Sequence, residues 1–167
     1  AIRMDTGSDA NGDAVANDPF IAVVAVNRKT GESQVQVRAA ADGSKLRSGE
    51  PVLEAAQIAK DMGVAAVMAN CSAPEVIPTA LNELAKTSLP FGAYANGFTK
   101  ISDGFLKDRP TVDALTLRKD FSPDLYADHV MAWVDQGATL IGGCCEVSPA
   151  HIAEIAKRLR AAGHTII

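Results

Sequence analysis

Four short apolar runs, each followed by a stretch of helical periodicity, set the strongest limit on how this chain folds. The runs lie near residues 20–26, 64–69, 91–95 and 138–142. Continuous apolar runs of this length read as strands buried on both faces, which is the habit of parallel sheets. Between them, Val52, Ala55, Ala56, Ala59 and Met62 recur at helical spacing, as do Ile77, Ala80, Leu81 and Leu84. Tyr126, Val130, Trp133 and Val134 form a third such face, and Ile152, Ile155, Ala156 and Leu159 a fourth. Pro51, Ser122-Pro123 and Ser148-Pro149 suit helix starts, and Gly63, Gly137 and Gly163 suit helix ends. Ser72-Ala-Pro-Glu75 has the spacing of a capping box, with Pro78 delaying the turns that follow. Strand–helix repeated four times predicts an α/β fold of parallel (β/α) units with right-handed crossovers. All helices are expected on one outer face.

Two segments fall outside this rhythm. Residues 1–19 are small, polar and aperiodic, and are expected to be disordered or irregular. Residues 20–167 are then one domain. Residues 27–47 are polar, and Ser33-Gln-Val-Gln-Val-Arg38 alternates with period two. That part reads as an excursion or short hairpin before the first helix. The loop from Asn96 to Phe121 is long for a compact domain, which is the habit of loops that cover a site. Its Lys100, Asp103, Lys107, Asp108 and Arg109 read as a solvated face.

The chemistry sits at strand ends. The three cysteines of the chain are Cys71, Cys144 and Cys145, and each closes an apolar run. Cys71 and Cys145 stand at the same offset from the glycine that opens their runs, Gly63 and Gly137. Cysteine alone is often a small core residue. Here two matched strand–cysteine units would bring three thiols to one end of a parallel sheet, where α/β folds keep their sites. Neighbours in a strand face opposite ways, so Cys144 and Cys145 can share a target only if the backbone turns. Gly142-Gly143 supplies that freedom. Three thiolates and an open fourth position make a catalytic Zn²⁺ site rather than a closed structural one.

Other residues are weaker candidates. Asn70 and Asn96 each end a strand. Asparagine tolerates turn geometry there, and both are candidate substrate contacts. His129 and His151 fall on expected helices, and His151 reads as a surface histidine rather than a support for the cysteines. Glu146, beside an anionic cluster, is expected to turn to solvent.

Charge and composition remove several classes. The net charge is −4 and the 16 Lys and Arg are scattered, so no nucleic-acid partner is expected. No apolar run approaches the roughly 18 residues of a membrane helix, so no membrane partner is expected. No charged start precedes an apolar stretch, so no signal peptide is expected. The odd cysteine count with a vicinal pair is a poor disulfide framework and fits a reducing, cytoplasmic compartment. The chain begins with Ala1, and is expected to be processed or a fragment.

Asn70-Cys71-Ser72 with Pro74-Glu75, and Gly142-Gly143-Cys144-Cys145, resemble the zinc-dependent homocysteine S-methyltransferase family. Leu46-Arg-Ser-Gly-Glu50 and Tyr94-Ala-Asn96-Gly97 support the resemblance, which covers residues 20 to 163. It implies a (β/α)8 barrel of the TIM type, of which this chain is the C-terminal half. It implies that Cys71, Cys144 and Cys145 bind zinc, and that homocysteine receives a methyl group from a small donor to give methionine. Relatives draw on S-methylmethionine, S-adenosylmethionine, betaine or methylfolate. Glu146-Val147 stands where the family usually continues with glycine. A half-barrel exposes two strand edges, which invite self-association, and is expected to be a poor catalyst by itself. The alternative is a non-catalytic zinc- or thiol-binding or redox half-barrel that pairs with another chain, although no Cys-x-x-Cys pair is present.

Overall fold

The structure is a computed structural model that describes residues 23–26, 31–99 and 116–167. One sheet carries five strands in the order β1 (Val23–Val26), β2 (Ser33–Val37), β3 (Ala66–Asn70), β4 (Phe91–Tyr94) and β5 (Leu140–Ile141). Pairings β2–β3, β3–β4 and β4–β5 are parallel. Helices α1 (Val52–Asp61), α2 (Ile77–Ala85), α3 (Pro123–Asp135) and α4 (Pro149–Ala161) follow the parallel strands in turn. Each helix touches the next, α1 to α2 to α3 to α4. A sheet that always steps one way through right-handed crossovers puts its helices on the same face. The fold is thus a four-stranded parallel sheet with alternating helices, consistent with part of a (β/α) barrel.

The first strand needs correction. The run near residues 20–26 does contain β1, but β1 pairs antiparallel with β2, Val24 opposite Val35. The first parallel strand is β2, the segment whose alternation reads as a hairpin arm. Both are true of it, since β2 closes the hairpin with β1 and opens the parallel sheet. Among the described residues β1 and β5 are the sheet edges.

Register explains the alternation. Gln34 pairs with Ala66, Gln36 with Met68, Met68 with Gly92, and Asn70 with Tyr94. These residues share the face away from the helices. Val35, Val37, Val67, Ala69 and Ala93 share the other face and join one core with the helices. Ile77, Leu81 and Leu84 of α2 and Trp133 of α3 are fully buried there. Burying each such aliphatic side chain contributes roughly 1.5–3 kcal/mol. Met62, expected on the inward face of α1, instead caps its C-terminal end and is 76% exposed.

Helix starts follow the sequence in two cases and depart from it in two. Ser122 Oγ accepts the Leu125 N–H at 3.2 Å. Ser148 opens α4 with a capping box whose return partner is His151. Pro51 stands at the N-cap position of α1, one residue before the helix. Ser72 caps nothing. Its hydroxyl accepts the Ala39 N–H at 3.0 Å and donates to the Asn70 carbonyl at 3.1 Å. It ties the end of β2 to the end of β3, and α2 begins only at Ile77 with Pro78 in its first turn. The expectations for residues 1–19 and for Lys100, Asp103, Lys107, Asp108 and Arg109 lie outside the described residues.

Candidate metal centre

Cys71 directly follows β3 and adopts φ 49, a left-handed conformation uncommon for a side-chain-bearing residue. Two bonds hold it there. Its N–H donates to the Tyr94 carbonyl at 2.8 Å. Its own carbonyl accepts from Arg47 Nη2 at 2.5 Å. The thiol is buried, and Asn96 Nδ2 approaches its sulfur at 3.8 Å. Asn96 Oδ1 accepts the Phe98 N–H at 3.1 Å, so the amide is fixed at both ends.

The other two thiols arrive on the loop after β5. The Cys144 N–H donates to the Ala95 carbonyl at 3.0 Å, and the Gly97 N–H to the Cys145 carbonyl at 3.0 Å. Cys144 and Cys145 therefore lie in a turn beyond the strand, not in it, and their sulfurs approach to 3.7 Å. The glycines before them serve close approach rather than left-handed geometry. A Cβ at Gly142 would sit 2.7 Å from the Tyr94 ring, and one at Gly143 would sit 2.1 Å from Val147 Cγ1. The left-handed residue of this loop is Glu146, at φ 66 and exposed.

All three sulfurs lie within 4.8 Å of one another. Zn–S bonds near 2.3 Å in a tetrahedral array put sulfurs about 3.8 Å apart. The thiol triangle fits one thiophilic divalent ion with small adjustments. Its electrostatics agree. Cys144 and then Cys145 donate to the Cys71 sulfur, with Arg38 and Arg47 nearby, and these hold its pKa far below the usual thiol range despite burial. Cys144 is pushed upward by its bonds with Cys145 and Cys71 and by burial. A cation bound among the three sulfurs would let all of them ionise.

Residues that the sequence marks as helix core or as weaker candidates surround the thiols. The Tyr126 hydroxyl accepts the Ala95 N–H at 3.2 Å and donates to the Gly142 carbonyl at 2.8 Å. It joins the end of β4 to the start of the cysteine loop, and burial pushes its pKa up. Tyr126→Phe is expected to cost about 1–3 kcal/mol, since two backbone groups lose their partner. An unchanged midpoint in urea would contradict this. His151 is buried, contrary to the expectation of a surface histidine. Its Nδ1 accepts the Ser148 N–H at 3.1 Å, and its Nε2 lies 3.2 Å from the Phe121 carbonyl. The Ser148-to-His151 spacing is the sequence signal for it. His129 stacks on Trp133 with 6.3 Å between ring centres. Asn70 is buried beside Cys71 with its Oδ1 unpartnered among the described residues.

Comparison with known proteins bears on the same segment. The model of a family described as homocysteine S-methyltransferase matches residues 18–159. Homocysteine S-methyltransferase 4 of Zea mays is 36% identical over 124 residues, which are 72% of this chain and 34% of that protein. Homocysteine S-methyltransferase YbgG of Bacillus subtilis is 30% identical over 123 residues, 72% of this chain and 36% of that protein. A selenocysteine Se-methyltransferase of Brassica oleracea is 32% identical over 120 residues, 71% of this chain and 33% of that protein. The chain thus spans about a third of the length of the curated relatives it matches. The matched residues contain both loops that bring the thiols together, and the chain belongs to the homocysteine S-methyltransferase family.

Proposed function

We propose that this chain carries the metal-binding part of an enzyme that moves a methyl group from a small donor to the thiol of homocysteine, forming methionine. The observation that carries the reading is the convergence of Cys71, Cys144 and Cys145 within 4.8 Å at the C-terminal ends of parallel strands. The metal we assign is zinc, because a donor set of three thiolates suits it. When bound, zinc would keep an added thiol in its thiolate form near neutral pH.

The chain's own residues then have separate roles. Cys71 anchors the site from its buried, left-handed position, and Cys145 stands on the exposed side. Asn70 Oδ1, an acceptor buried without a partner among the described residues, suits the ammonium of an amino-acid substrate. Asn96 is engaged with Cys71 and Phe98, so its effect on substrate passes through the Cys71 sulfur. In the transfer one sulfur–carbon bond forms as the donor–methyl bond breaks. The donor leaves with that electron pair, and the acceptor's proton has already gone to solvent. Alignment of sulfur, methyl and leaving group contributes much of such a rate. We further propose that residues 20–167 form a half-barrel domain of a longer enzyme in a reducing, cytoplasmic compartment. No described helix is long and apolar enough to cross a membrane.

The test joins this chain to the remaining two-thirds of the Zea mays relative and loads it with zinc. Methionine is then measured by mass spectrometry with homocysteine and each of several methyl donors. Methionine formation that disappears with the metal is expected. A zinc-loaded hybrid that makes none, beside an active intact relative, would defeat the reading.

A further inference from the structure

After β2 the chain folds back on itself. Ala39 and Leu46 pair antiparallel, and the Arg47 N–H donates to the Arg38 carbonyl at 3.2 Å. This return sets two arginines side by side at the sheet end that holds the thiols. Arg47 reaches the Cys71 carbonyl with Nη2. Burial disfavours its charge and nearby Cys71 favours it, and Arg38 Nε beside it is buried with no hydrogen-bond partner among the described residues. Two guanidiniums crowded together and partly desolvated need negative charge nearby.

The charge count of the proposed centre supplies it. A divalent ion with three thiolates has a formal charge of −1, and an anionic fourth ligand makes it −2. A site whose ligands already exceed the metal's charge resists another anion. We propose that Arg47, with Arg38 beside it, is the charge partner that lets the three-cysteine centre accept a thiolate as fourth ligand. This rests on the metal reading above. Arg47 also has a mechanical role. By bonding the Cys71 carbonyl it keeps that residue's strained backbone, and so its sulfur, aimed at the other two. It is a positioning residue with a charge, not a group that touches the reacting atoms.

The two roles separate experimentally. Arg47→Gln keeps an amide donor for the Cys71 carbonyl and removes the charge. Arg47→Lys keeps the charge and loses the planar fork. The metal-free chain and both variants are titrated with Co²⁺, whose thiolate charge-transfer absorption reports the metal and whose visible bands report the fourth ligand. Mercaptoethanol, which carries no carboxylate and binds a metal as its thiolate with release of the proton to solvent, is then added as the anionic ligand, and imidazole as a neutral one. The wild type is expected to bind one Co²⁺ and to take up both ligands. Arg47→Gln should lose about 10–100-fold in mercaptoethanol affinity and little in imidazole affinity, while Arg47→Lys should stay near the wild type. Equal loss of both ligands, or none, in Arg47→Gln overturns the charge role. A wild type that binds Co²⁺ without thiolate charge transfer overturns the metal reading itself, and the inference with it.

Discussion

Replacing Cys144 by serine is expected to weaken zinc binding about a hundredfold. Four-ligand structural sites bind zinc with roughly 10–16 kcal/mol at neutral pH, or about 3 kcal/mol per ligand. Serine at neutral pH offers an un-ionised oxygen in place of a thiolate. The same size of loss is expected for Cys71→Ser and Cys145→Ser, although the three residues differ widely in burial. That equality is the informative part. If cysteine served packing alone, the loss would concentrate at buried Cys71 and show as stability, while exposed Cys145 could change freely. Competition with a chromophoric chelator measures the affinity. A Cys145→Ser chain that holds zinc as tightly as the wild type would remove Cys145 from the ligand set.

The largest stability effect is expected from Trp133→Ala, at about 3–5 kcal/mol. Trp133 is fully buried in α3 and packs edge-on against Tyr126, with ring centres 5.8 Å apart. Its removal leaves a cavity in a core that holds its remaining side chains at fixed positions and cannot fully collapse. The melting temperature should fall by on the order of 10 °C. The damage should also reach the thiols, because the Tyr126 hydroxyl bonds both Ala95 and Gly142 and so reinforces the Cys144 N–H bond to the Ala95 carbonyl. A Trp133→Ala chain with an unchanged melting temperature would show that α3 is not part of the cooperative core.

What the sequence disclosed and what it hid follow from the range of each interaction. Convergence of the thiols was legible, because two strand–cysteine units in a parallel sheet must end on the same side. The parallel role of β2 was not. Its Gln34 and Gln36 alternate with Val35 and Val37, a pattern that normally marks a sheet with one wet face. Here the polar residues are buried on the face opposite the helices, so alternation gave no sign of depth. Ser72 misled in the same way. A local rule reads it as a helix cap, but a distant N–H, that of Ala39, takes its oxygen. His151 stands where a capping box usually has Glu or Gln, and an imidazole nitrogen does the same work. Arg47 lay within a recognised motif, yet nothing local tells that its guanidinium crosses to the carbonyl of Cys71. Element type is a short-range property, whereas these partners are set by how the sheet closes.

The positions of the cysteines also bear on the order in which the molecule is made. Cys71 leaves the second parallel strand and Cys144 leaves the fourth, with β4 between them. No nearby stretch of chain can assemble this ligand set. The thiols meet only after two long-range parallel pairings are complete, and such pairings are slow to form. An ion that binds all three therefore acts late, as a clip across a long loop whose closure entropy has already been met. It then holds the end of the short strand β5, which has two residues of pairing to keep it in place. Metal loading should lag behind helix formation, and the rate of metal uptake would time the closure of the sheet.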